Sequence, residues 1–63
     1  PLLAKAKELR KRAEKLLGSI AEEDAKDIRD MLEKNREAIN TGDMKRLAET
    51  NTSLEDIIFY LED

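Results

Sequence analysis

The sequence predicts an all-α chain folded as an antiparallel, up-down-up three-helix bundle. Three observations lead there. The 12 Lys and Arg and 15 Asp and Glu make the chain 43% charged, whereas it is only 3% aromatic and has no Val. A mixture rich in Ala, Leu, Glu, Lys and Arg favours helices over strands. The apolar residues fall into three runs with helical period. Two short polar hinges, one at Gly18-Ser19 and one at Asn40-Thr41-Gly42-Asp43, separate the runs, and hinges this short force neighbouring helices to be antiparallel.

The first helix is expected over about 2–17. Leu2, Ala6, Leu9, Ala13 and Leu16 step by four, three, four and three, and Leu3 and Leu17 widen the stripe. Gly18 is expected to end it in the left-handed conformation. Ser19 stands three residues before Glu22, the spacing of a capping box, so the second helix is expected over about 20–40. Glu22, Glu23 and Asp24 suit its first turn, where the helix dipole favours negative charge. Its stripe is Ala21, Ala25, Ile28, Leu32 and Ile39, flanked by Met31 and Ala38, with Asn35 filling the missing slot. Asp43 or Thr41 is expected to cap the third helix, over about 44–62. There Met44, Leu47, Leu54, Ile58 and Leu61 form the stripe, Ala48 and Ile57 lie beside it, and Asn51 sits in the gap. Thr50-Asn51-Thr52-Ser53 are weak helix formers, but Leu47, Leu54 and Leu61 stay in phase across them, so the helix is expected to continue. Exposed pairs at i,i+4 (Glu8–Arg12, Glu22–Lys26, Arg29–Glu33, Asp30–Lys34) are expected to support the layout without deciding it.

The chain reads as a single three-helix domain over 1–63, and its start at Pro1 without an initiator Met reads as a fragment of a longer protein, with a processed N-terminus as the alternative. Composition excludes several kinds of chemistry. Without His or Cys there is no zinc site of the usual kind, no disulfide and no imidazole or thiol catalysis. Ser19 and Ser53 read as capping or turn residues. The carboxylate pairs Glu22/Glu23 and Asp27/Asp30 lack calcium-loop spacing, so no metal, cofactor or enzymatic activity is expected of this chain. A net charge of −3 argues against a nucleic-acid partner. Lys5, Lys7, Arg10, Lys11, Arg12 and Lys15 are interrupted by Glu8 and Glu14 and read as a solvated helix face. The longest apolar run, Ile57 to Leu61, is far short of a membrane span, so no membrane contact is expected.

Two features are left over. Asn35 and Asn51 hold stripe positions; either they are buried, find hydrogen-bond partners and fix helix register, or they lie at an open edge of the bundle. Phe59 and Tyr60 lie off the third stripe. With Ile57 they are the candidate interaction surface, for another domain or a second copy in a homodimer; alternatively they pack over an end of the bundle.

Leu16-Leu17-Gly18, then Ala25, Ile28 and Leu32, the stretch Glu33-Lys34-Asn35-Arg36-Glu37-Ala38-Ile39, Gly42-Asp43-Met44 and the repeat Leu47, Leu54, Ile58, Leu61 together resemble a known module. It is the C-terminal helical subdomain of the seventy-kilodalton heat-shock chaperones of the DnaK type, the bundle that ends their substrate-binding lid. The resemblance covers nearly the whole chain and is most specific from Glu33 to Leu47. Asn35 departs from it, standing where the family typically has an apolar residue. What the resemblance implies is a structural role in protein folding and the stress response. The chain would be part of a lid that retains client polypeptides bound in a separate peptide-binding domain, in a cytoplasmic or organellar chaperone whose ATPase lies in a further domain. A stand-alone interaction or self-association bundle is the alternative reading of the same residues.

Overall fold

The computed structural model describes residues 1–62 and contains three helices: α1 (Leu2–Leu16), α2 (Glu22–Thr41) and α3 (Met44–Leu61). They form an up-down-up bundle measuring 31 × 18 × 15 Å. Both α1 and α2 pack mainly on α3 and touch each other less. As expected, α3 runs unbroken through Thr50–Ser53.

The hinges differ in construction. At the second, Gly42 adopts φ 71°, the only positive φ among the described residues. Its N–H donates to the Ile39 carbonyl at 3.2 Å and the Asp43 N–H to that of Ala38 at 3.0 Å, the paired bonds of a Schellman motif. The Asp43 carboxylate then accepts from the Arg46 N–H at 3.0 Å, so one residue closes α2 through its backbone and caps α3 through its side chain. Thr41 takes no part in that cap; its hydroxyl donates to the Glu37 carbonyl at 3.0 Å.

The first hinge departs from expectation. Gly18 does not adopt the left-handed conformation, and Ser19 does not cap α2. The Leu16 carbonyl accepts from both the Ser19 N–H at 3.0 Å and the Ser19 hydroxyl at 3.2 Å. Ser19 is thereby committed to the end of α1, and α2 starts two residues later than expected. Extended Ala21 precedes it with no side-chain cap, and only Glu22, Glu23 and Asp24 complement the helix dipole.

Among the described residues ten apolar side chains are buried: Ala6, Leu9 and Ala13 from α1, Ala25, Ile28, Leu32 and Ala38 from α2, and Leu47, Leu54 and Ile58 from α3. Most stripe positions are thus buried as expected, with some exceptions. Leu2 and Met44, at the starts of their helices, are exposed, as is Ala21. Ala38 is buried in preference to half-buried Ile39, so the α2 stripe steps by three from Asn35. None of the four expected i,i+4 pairs is among the observed salt bridges. Arg29 instead bridges Glu22, seven residues away, and Lys26 bridges Asp30. Substituting Ala for Leu54 removes a fully buried side chain and costs roughly 2–5 kcal/mol.

Candidate functional site

Of the candidate surface Ile57, Phe59 and Tyr60, the structure keeps only the two aromatics outside. Phe59 is 80% and Tyr60 84% exposed, so neither packs over an end of the bundle. Ile57 is half-buried against the core. Successive helical residues are ~100° apart, so Phe59 and Tyr60 leave α3 on diverging flanks; Tyr60, three residues after Ile57, lies on the same side of the helix as Ile57, and Phe59 does not.

Asn35 and Asn51 are buried, at 0% and 5% exposure, which decides between the two readings of their stripe positions. They lie between two apolar clusters. One is built on Leu9, Ala13, Ile28, Leu32, Leu54 and Ile58, the other on Ala6, Ala38 and Leu47. The Asn35 amide nitrogen donates to the Thr50 hydroxyl at 2.8 Å and to the Asn51 side-chain oxygen at 2.9 Å. The Thr50 hydroxyl donates in turn to the Arg46 carbonyl at 2.9 Å, and the Asn51 amide nitrogen to the Leu2 carbonyl at 3.2 Å. One polar cluster therefore ties all three helices together. It leaves one buried atom, Asn35 Oδ1, with no hydrogen-bond partner. Thr50 was not singled out in the sequence, although a signal existed. It stands three residues after Leu47 and four before Leu54, so it is as much a stripe position as Asn51, and both are buried.

The α1–α3 seam is edged by two ion pairs. Lys5 meets Glu55 at 2.9 Å, and Arg12 meets Glu62 at 2.9 Å. The hydrogen bond to Glu55 raises the Lys5 pKa, and the same bond holds Glu55 below the ordinary value. Arg12 and Glu62 shift each other likewise. Across to α2, the Arg10 guanidinium donates to the Leu32 carbonyl at 3.3 Å. Among the described residues no group of His, Cys, Asp and Glu is arranged to hold a metal ion, and no helix is long and apolar enough to cross a membrane. What the arrangement offers is a bundle joined through a buried polar cluster, with two exposed aromatics on α3. No family model, no curated protein and no solved structure matches the chain.

Proposed function

We propose that this chain is the terminal helical subdomain of the substrate-binding lid in a DnaK-type, cytoplasmic chaperone. There it helps retain client peptides bound in a separate domain and performs no catalysis itself. The observation that carries the reading is the stretch Glu33–Leu47, where the resemblance is most specific. It contains the end of α2, the Gly42 turn and the Asp43 cap of α3. Support also comes from the distribution of apolar side chains. The bulky ones are largely used in joining three helices, as suits an accessory part that borrows its chemistry from neighbouring domains. Its partners are then the rest of the lid and the peptide-binding domain, with client polypeptides reached indirectly.

Replacing the last helical bundle of a DnaK-type chaperone by residues 1–63 tests the proposal, with dissociation of a fluorescent peptide as the readout. Slow release, as in the intact parent, is the expected result; release as fast as from a bundle-deleted form overturns it. The isolated chain is expected to show no ATP turnover, and saturable turnover by it would also count against the reading.

The exposure of Phe59 and Tyr60 favours a second reading, a stand-alone bundle that docks a partner or a second copy through these aromatics. Light scattering over a concentration series separates the two. Association abolished by Phe59→Ala/Tyr60→Ala supports the docking module, and a monomer throughout supports the lid.

A further inference from the structure

The facing surfaces of α1 and α3 each repeat every seven residues. On α1, Leu2, Leu9 and Leu16 are spaced by seven, as are Ala6 and Ala13, and so are the cations Lys5 and Arg12. On α3, Leu47, Leu54 and Leu61 repeat at the same interval, as do the anions Glu55 and Glu62. The two ion pairs of the seam, Lys5–Glu55 and Arg12–Glu62, are therefore copies of each other one heptad apart. A displacement of α1 along α3 by seven residues, ~10.5 Å, toward its own N-terminus puts Leu9 and Leu16 where Leu2 and Leu9 stood, Ala13 where Ala6 stood and Arg12 on Glu55, with Glu62 losing its cation. The polar cluster does not forbid it. Asn51 holds α1 by a backbone carbonyl, that of Leu2, and a shifted helix would present the Leu9 carbonyl instead.

We propose that α1 occupies two registers on α3, the second reached by sliding α1 one heptad toward its own N-terminus. The direction follows from what is left uncovered. Leu2, Leu3 and Met44 are all exposed, at 36%, 51% and 48%. Met44 stands seven residues before Asn51, on the flank of α3 that α1 covers higher up, and the slide carries Leu2 over it. The linker Leu17–Ala21 permits the move. Five residues reach about 17 Å when extended, and a neighbouring helix 8–10 Å away, displaced by ~10.5 Å, lies about 13–15 Å off. Sparse contact between α1 and α2 leaves little else to oppose it. The observed register keeps three advantages: the second ion pair, Arg12–Glu62, the Arg10 bond to the Leu32 carbonyl, whose place Leu17 would take, and the packing of Leu17 and Ile20 on the core. The shifted register is therefore the minor state.

Because the chain contains no Cys, pairs of cysteines joined by a short bismaleimide report the register directly. Lys5→Cys/Glu55→Cys reads the observed register, and Arg12→Cys/Glu55→Cys reads the shifted one. Lys5→Cys/Glu62→Cys is the control, since it lies on the same seam, is offset by one heptad in the opposite direction and is not brought together by the slide. A minor state of 1–10% makes the Arg12 pair cross-link about 10- to 100-fold more slowly than the Lys5 pair, yet well ahead of the control. Cross-linking of the Arg12 pair no faster than the control overturns the proposal. A second measurement uses Met44 oxidation by peroxide in the cross-linked products. Slower oxidation in the shift-locked form is expected, and equal rates in both products overturn the slide.

Discussion

One amide nitrogen, that of Asn35, serves two acceptors on α3, while the oxygen beside it is buried with no partner. The two ends of this side chain thus pull in opposite directions. Both donated bonds are satisfied in a site sealed from water, and the orphaned oxygen carries a desolvation cost of about 1–3 kcal/mol. The donor end must dominate for the site to hold together, and Asn35→Asp tests this. An ionised carboxylate would place a second oxygen where the nitrogen now donates, facing the Thr50 hydroxyl and the Asn51 side-chain oxygen. Thr50 cannot readily turn to donate, because its hydroxyl already donates to the Arg46 carbonyl. Burial and the lost bonds push the new carboxyl's pKa up, because only its protonated form donates. The variant is expected to be strongly destabilised at neutral pH and to recover part of its stability on acidification through that raised pKa. Urea midpoints at pH 7 and pH 5 check it. A variant as stable as the parent at pH 7 would show that the donated bonds contribute nothing.

The two glycines illustrate, at the scale of helices and hinges, how alike residues in like positions came to differ. Gly42 holds φ 71°, which costs an L side chain roughly 1–2 kcal/mol, whereas Gly18 has no positive φ. An added Cβ meets nothing within 4 Å at either site, so conformation alone separates them. Gly42→Ala is expected to destabilise the bundle by about 1–2 kcal/mol. Gly18→Ala is expected to leave it unchanged or to stabilise it by up to ~1 kcal/mol through the unfolded chain. Thermal melts of the two variants provide the comparison. The pattern of helices and hinges was legible in one dimension because it depends on periodicity and on residues adjacent in the chain. The capping at Ser19 was not. A Ser three residues before a Glu fits either side of a turn, and here the Leu16 carbonyl engaged both Ser19 donors. Burial of Asn35, Thr50 and Asn51 is not legible in one dimension, because the meeting of α2 and α3 at one level depends on three-dimensional alignment. The pairs Lys5–Glu55 and Arg12–Glu62 join residues 50 apart, so only the offset between α1 and α3 reveals them.

For the molecule as a whole, α1 is the lightly anchored member. It buries one bulky side chain, Leu9, and two alanines, and its seam on α3 is edged by charge. That makes the assembly's response to acid depend on two carboxylates. Hydrogen bonding to Lys5 and to Arg12 lowers the pKa of Glu55 and Glu62 below the ordinary 4.5. A carboxyl whose pKa is lower folded than unfolded adds stability above the unfolded value and loses it as pH falls through the folded one. Their contribution is thus present at pH 7, begins to fade below about pH 4.5 and is gone once both are protonated. Lys5, whose pKa is raised above 10.5, behaves in the opposite sense, its share persisting until strongly alkaline pH. Glu55→Gln/Glu62→Gln removes the acid-sensitive part while keeping the side chains' size. The double variant is expected to be less stable than the parent at pH 7 and to lose less stability between pH 7 and pH 2.5. Because both pairs are exposed, high salt at pH 7 should narrow the difference between the two proteins. Urea midpoints across that pH range, at low and high salt, measure it. Parallel curves for parent and variant would mean that the seam charges do not hold α1 in place.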